Sequence, residues 1–189
     1  MRHKYETRGI VLSRAPVGES SSFVTLLTPE LGLVRALAQS VRAPGAKLAS
    51  ALATFAESSV VLVRGRDGWR LAGAVLEENW FKRLEVADVR RRAARVSGLL
   101  LRLVAGEAQD SALFPIMSGF LGALSELPEK SHEAAEMLAA LRTLAALGLD
   151  TGELPGEASA FTLSLLAAVA EDRANYITRI NRGIEASGL

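Results

Sequence analysis

The chain reads as an α+β protein, a five-stranded β-barrel at its N-terminal end followed by an α-helical domain. Three observations predict this. Apolar residues of the first eighty or so positions fall in short β-rich runs, and those of the remainder recur at helical spacing. Charge divides along the same line. Residues 1–95 hold 16 Lys and Arg against 9 Asp and Glu, a net of +7, whereas residues 96–189 hold 6 against 12, a net of −6. The overall charge of +1 hides a basic surface suited to polyanions and an acidic one that is not.

The strands come first. Gly9–Arg14, Phe23–Thr28 and Leu33–Ala38 are short, β-rich and separated by turn residues. Between the second and third, Thr28-Pro29-Glu30-Leu31-Gly32 is a compact reversal, with proline presetting one turn dihedral and glycine tolerating a positive φ. Val60–Val63 and Trp69–Leu76 flank Arg64-Gly65-Arg66-Asp67-Gly68, whose Asp-Gly pair signals a hairpin. Ala46–Thr54 is expected to form one short helix. Five strands with a helix between the third and fourth is the OB-fold order, although periodicity alone leaves a five-stranded SH3-like barrel open.

The helices follow. Val86–Ala105 alternates arginines with a leucine-rich face, weakened in the middle by Gly98. Asp110 is placed to cap a helix running to about Leu127, with Pro115 either in its first turns or at a break between two short helices, and Pro128 marks a stop. Ser131 is placed to cap His132–Leu147, with Gly148 as the C-terminal cap. One or two more helices span Ala158–Ala186, divided near Glu171-Asp172. The boundary falls near Asn79–Glu85 with no Gly/Ser linker, giving a barrel domain over residues 1–80 and a helical domain over residues 81–189.

Composition removes several function classes. The 189 residues are 49% hydrophobic and include no cysteine, which excludes disulfides and thiolate-bound zinc and fits a reducing cytoplasm. The opening Met1–Glu6 lacks the apolar core of a signal peptide, and the longest uncharged stretches are too short to span a bilayer, so a soluble chain is expected. No cofactor, metal site or catalytic group is expected. Ser20-Ser21-Ser22 has no histidine partner nearby, Glu77-Glu78 and Glu171-Asp172 are adjacent rather than facing, and His132 is expected to be solvated.

Candidate binding residues are cationic. Arg35, Arg42 and Lys47 lie on and after the third strand, and Arg64, Arg66 and Arg70 surround the hairpin. On an OB face such residues contact phosphates and release counterions while the groove guides a strand. Arg8 and Arg14 are second choices. Arg90, Arg91 and Arg92, with Arg95, open the first long helix of the second domain, either as a solvated face or as an extension of the phosphate path through Lys82 and Arg83. Aromatics number only ten, with Phe23 and Phe55 assigned to the core and Trp69 weighed as a base-stacking ring. Their scarcity points to holding by the backbone without sequence readout. The acidic, leucine-rich second half suits protein contacts.

The spacing of particular residues resembles a known family. Gly9-Ile10-Val11-Leu12, Gly18-Glu19-Ser20, Val24–Gly32, Val34–Ala38, the loop Val41–Leu48, Leu52–Phe55 and Leu62–Arg66 together resemble the opening of the bacterial recombination mediator family RecO. Leu113-Phe114, Phe120-Leu121, Leu124 and the Leu138–Gly148 helix resemble parts of its helical domain. The resemblance implies binding of single- and double-stranded DNA without strong sequence preference, annealing of complementary strands, contact with single-strand-binding protein, and pairing with RecR to help load RecA. Two departures stand out. Many members carry a cysteine zinc cluster where this chain reads Leu149–Pro155, so that metal site is absent and apolar packing alone is expected to hold the helical domain. The loop after the third strand carries only Arg42 and Lys47, fewer cations than is usual. That thin loop motivates a second reading, an OB module that docks RecR or another protein with little DNA affinity of its own.

Overall fold

The computed structural model describes residues 3–39, 48–104 and 111–189; the expected cap Asp110 and the loop residues Arg42 and Lys47 lie outside them. By contacts the chain divides into two compact units, meeting in sequence at Lys82 and Arg83.

Five strands build the first unit: β1 (Lys4–Val17), β2 (Ser21–Thr28), β3 (Gly32–Ala38), β4 (Ala56–Gly65) and β5 (Gly68–Asn79). They close in the order β1-β2-β3-β5-β4, with β3 and β5 parallel and every other pair antiparallel. Parallel closure separates this OB barrel from one made of successive hairpins. β1 serves two neighbours, pairing β4 through Lys4–Ile10 and β2 through Ile10–Val17. A register shift between Val11 and Ser13 lets it bend from one to the other. Alternation sends Val24, Leu26, Val34, Ala36, Val60 and Leu62 inward, each at most 1% exposed, and their neighbours outward. Glu57 is a buried exception at 6% exposure. Arg8 Nη2 lies 3.0 Å from its carboxylate, and Trp80 Nε1 donates to it at 3.0 Å, so the charge is compensated and the chain leaving β5 is pinned to β4.

The expected helix between the third and fourth strands is not formed in the described part of that segment. Residues 48–55 make turns, with one helical-type bond from Leu52 N–H to the Leu48 carbonyl at 3.1 Å. Leu52 plugs the barrel, Ser58 Oγ donates to the Ala51 carbonyl at 2.8 Å, and Phe55 takes φ 60°. These tertiary bonds fix a compact turn where local propensity alone favours a helix.

The second unit follows a short helix, α1 (Trp80–Arg83), that joins the two. It comprises α2 (Ala87–Leu103), α3 (Leu113–Glu126), α4 (His132–Ala146), α5 (Leu163–Glu171) and α6 (Arg173–Ala186). α4 is central and packs on α2, α3, α5 and α6. It is buried nearly all round because Ala134, Ala135, Ala139 and Ala140 let neighbours approach while Leu138, Leu141 and Leu144 fill the gaps. Ser131 occupies the N-cap position, but its hydroxyl donates back to the Pro128 carbonyl at 2.6 Å and caps no amide of α4. At the other end Gly148, at φ 74°, permits a Schellman closure: its N–H reaches the Ala145 carbonyl at 2.9 Å, and that of Leu149 reaches Leu144 at 2.8 Å. His132 is not solvated as expected; it is 5% exposed with Nε2 at 2.9 Å from the Leu127 carbonyl, because the preceding 3-10 turn (Glu129–Ser131) folds it inward.

Apolar packing is not the only support of this unit. Arg142 on α4 is 3% exposed and donates to the carbonyls of Pro155, Ala158 and Ala160 at 2.7, 3.0 and 2.8 Å, with Phe161 4.8 Å beneath its guanidinium. Burial pushes its pKa below the ordinary arginine value. Arg179 on α6 grips Asp150 through Nη2 and Nε at 2.6 and 3.2 Å and also donates to the Glu153 carbonyl at 3.1 Å. Between them the two guanidinia hold the segment from Asp150 to Ala160 against α4 and α6.

Two outcomes follow. Arg142→Met strips donors from three carbonyls and is expected to destabilise the protein by about 2–3 kcal/mol in denaturant unfolding, with Arg142→Lys recovering part. Arg179 beside Asp150 holds its carboxyl below the ordinary value of 3.8. The folded-state pKa is thus depressed, so the stabilisation is complete above about pH 4 and disappears as pH falls through the lowered value. Melting temperatures of the native protein and Asp150→Asn should differ near neutral pH and converge in strong acid; a pH-independent difference would contradict the pairing.

Candidate nucleic-acid interface

Strand register, fixed by barrel closure, decides which cations share a surface. Following Cα partners around the barrel gives one row: Ala15, Phe23, Leu37, Arg70, Val63, Lys4. None of the six is among the buried residues, so the row runs along the outer surface. Arg35, on the same outward face of β3 and two residues from Leu37, is a diagonal neighbour of Arg70. Its guanidinium carbon stands 4.1 Å from the centroid of the Phe23 ring on β2. The β2–β3 face therefore carries a cation over an aromatic ring, beside a second cation on β5.

The hairpin supplies the next group. β4 and β5 are joined by the two residues Arg66 and Asp67, both exposed, between the paired glycines Gly65 and Gly68. Gly68 takes φ 112°, a conformation side chains rarely adopt, and so lets the loop close in two residues. Arg64 points to the barrel mouth with its guanidinium carbon 4.9 Å from the Trp69 ring centroid. Trp69 is only 8% exposed and belongs to the barrel core, with Tyr5 against it edge-on at 5.2 Å. It is a plug of the mouth, and the exposed stacking ring weighed for this position is absent, because its strand position faces inward opposite Ala36.

Among the second choices, Arg8 is engaged with Glu57, and Arg14 Nε donates to Ser22 Oγ at 3.3 Å. Along β1 the basic surface gives way to a mixed one, where Arg8 lines the adjoining cleft together with carboxylates. One step beyond the Lys4–Val63–Arg70 row lies Glu6–Val61–Gly73, and here Glu6, Thr7, Glu30 and Val75 help line a cleft of about 480 Å³. Thr7 Oγ1 is hydrogen-bonded to the Glu30 carboxylate across it. Carboxylates thus bound the cationic surface on that side.

On α2 the arginines are engaged in local structure. Arg90 Nε donates to the Leu84 carbonyl at 2.6 Å, and Arg91 Nη2 meets Asp88 at 3.2 Å. Arg92 bridges Asp88 at 3.1 Å and Glu136 at 2.7 Å, and Arg95 Nη2 meets Glu136 at 2.8 Å. Arg91 and Arg92 hold the Asp88 carboxyl below its ordinary value, and Glu136 holds the Arg95 guanidinium above its own. Arg83 is paired with Glu126 at 2.8 Å.

Two contributors escape sequence reading. Lys4 looks like part of a terminus until the β1–β4 register sets it in line with Arg70, and Phe23 looks like core although it faces outward. Strand alternation from Val24 gives a signal for Phe23; no local signal reveals Lys4. Among the described residues, no group of His, Cys, Asp and Glu is arranged to hold a metal, and no helix is long and apolar enough to cross a membrane.

Comparison with known proteins agrees with this architecture. Residues 1–77 match the family model described as recombination protein O N terminal. A protein from Dehalococcoides mccartyi named DNA repair protein RecO is 30% identical over 125 residues, 66% of this chain and 48% of the relative. Its namesake from Gloeobacter violaceus is 33% identical over 137 residues, 71% and 51% of the two chains, and one from Acaryochloris marina is 39% identical over 80 residues, 42% and 27%. The chain spans about half the length of the first of these curated relatives. The longer matches exceed the barrel and so reach into the helical unit. By an N-terminal family match that coincides with a closed OB barrel, and by relatives that extend past it, the chain belongs to the RecO family of DNA repair proteins.

Proposed function

We propose that the chain is a non-catalytic mediator of DNA repair and recombination, acting in the cytoplasm. It holds DNA on the barrel through phosphate contacts and promotes annealing of complementary strands. The observation that carries this reading is the outer surface of β3 and β5, where Arg35 and Arg70 are diagonal neighbours on an OB barrel in a DNA repair family, with Lys4 on β1 farther around the same row. Cations on that face neutralise phosphates and release counterions, so two strands approach without mutual repulsion, and no bond is made or broken. Arg64 and Arg66 at the hairpin extend the path, as do Arg42 and Lys47, which follow β3 in sequence. Arg90, Arg91 and Arg92 contribute less, because Leu84, Asp88 and Glu136 already hold them. Residues 1–80 serve DNA, and residues 81–189 serve protein partners.

Those partners are RecR, single-strand-binding protein and, indirectly, RecA. An apolar groove of about 590 Å³ between α2, α4 and α6, lined by Leu99, Leu101, Ala140, Ile180 and Ile184, supports a docking role for the helical unit. The local engagement of the α2 arginines favours a second reading, in which the barrel docks RecR and contributes little DNA affinity of its own.

A labelled single strand titrated over a salt series separates the two. Replacing Arg35, Arg42 and Lys47 together with alanine is expected to weaken binding to every sequence, and to make the slope of log affinity against log salt shallower by about 2, three phosphate contacts' worth. Equal affinity of the triple variant and the native protein at low salt would remove these residues from the site. No binding by the native protein at low salt would favour the docking module.

A further inference from the structure

We infer that Arg35 and Phe23 form a stacking site for an unpaired nucleobase, which makes the β2–β3 face a single-strand site; this rests on the proposed DNA-holding role. Phe23 is an aromatic residue on the outward face of a strand whose inward residues, Val24 and Leu26, already fill the barrel at 0% exposure. The barrel core therefore does not require a ring at this position. The ring is half-buried, with Leu37 as its Cα partner and the Arg35 guanidinium standing 4.1 Å above it. No carboxylate pairs with Arg35 among the described residues, so an aromatic face and not an anion positions its charge.

A guanidinium is planar and weakly hydrated, and it has two faces. Phe23 covers one. Arg35 itself is an exposed residue, with the half-buried Thr25 as its Cα partner on β2, so its side chain is reachable from solvent. Nucleobases stack on guanidinium planes as they do on aromatic rings, and every base has such a face, so the contact is indifferent to sequence. In a duplex the base faces are occupied by their neighbours, and only an unpaired base can be received. Arg70, diagonal to Arg35 on β5, is placed to meet a phosphate of the same strand.

The test compares a single-stranded oligonucleotide of about eight nucleotides with an abasic strand of equal length, by fluorescence anisotropy, for the native protein, Arg35→Lys and Phe23→Leu. Lysine keeps the charge and loses the plane; leucine keeps apolar bulk and loses the ring. The native protein should prefer the base-bearing strand by about tenfold, the scale of one stacked base, and in both variants the ratio should fall close to one. A native protein that binds both strands alike, or an Arg35→Lys variant that keeps the native ratio, would overturn the stacking site while leaving DNA holding intact. A native protein that binds neither strand at low salt would overturn the DNA-holding reading and this site with it. Should Phe23→Leu fail to fold, judged by circular dichroism, the Arg35→Lys ratio decides alone.

Discussion

Two residue pairs, Ala36 with Trp69 and Leu37 with Arg70, join β3 to β5 and turn the sheet into a barrel. The placement of the β5 cation Arg70 beside β3 depends on that short parallel join. The join sets the offset between the β2–β3 hairpin and the β4–β5 hairpin and so brings Arg70 beside Leu37, while the β4–β5 and β1–β4 registers put Arg70 in line with Val63 and Lys4. The same offset turns Trp69 inward opposite Ala36, where it seals the mouth with Tyr5 at its edge and Arg64 over its face. Because side chains alternate with period two, a slip of one residue would exchange these sets, exposing the tryptophan and burying a cation. The apolar cost of exposing Trp69 and the charge cost of burying Arg70 act against the same error.

The helical unit solves a different problem with the same functional group. Between Leu147 and Thr162 the chain has no regular structure. Here Arg142 takes the organising role from inside α4. Its guanidinium donates to three carbonyls of a coil whose residues are exposed or half-buried, tying that coil to the helix. A guanidinium suits this position because its donors are fixed in a plane and reach several acceptors at once. Arg179 and Asp150 work at the start of the same segment, with a carboxylate as acceptor.

Elements were legible where the pattern is local. Alternation marked all five strands, Gly148 marked the end of α4, and Glu171-Asp172 marked the break between α5 and α6. Placements set by partners distant in sequence were not legible. The segment before β4 has helical composition, yet Ser58, Val11 and Trp80 bond to it and hold it as turns. His132 reads as a polar first-turn residue until the 3-10 turn folds it onto the Leu127 carbonyl. The arginine run on α2 reads as available charge, because nothing in the local sequence announces that Glu136, some forty residues away, stands opposite Arg92 and Arg95. For the candidate site, the sequence marked Arg35, Arg66 and Arg70 as cations but could not say that Phe23 lies under one of them.

The net charge of the first 95 residues therefore overstates what a polyanion can meet. Glu57 engages Arg8, Glu126 engages Arg83, Asp88 engages Arg91, and Asp88 and Glu136 share Arg92 and Arg95. Among the described residues of this stretch, Lys4, Arg14, Arg35, Arg66, Arg70 and Lys82 are left with no carboxylate partner. A handful of cations neutralises few phosphates, and a grip made only of counterion release weakens steeply with salt. Stacking on a guanidinium held over a ring does not depend on released ions in that way. A barrel with few available cations and few aromatic rings gains most by combining one of each, since the pair gives a strand both a charge and a surface. In this structure Arg35 over Phe23 is that combination, on the strands that the OB architecture turns toward a ligand.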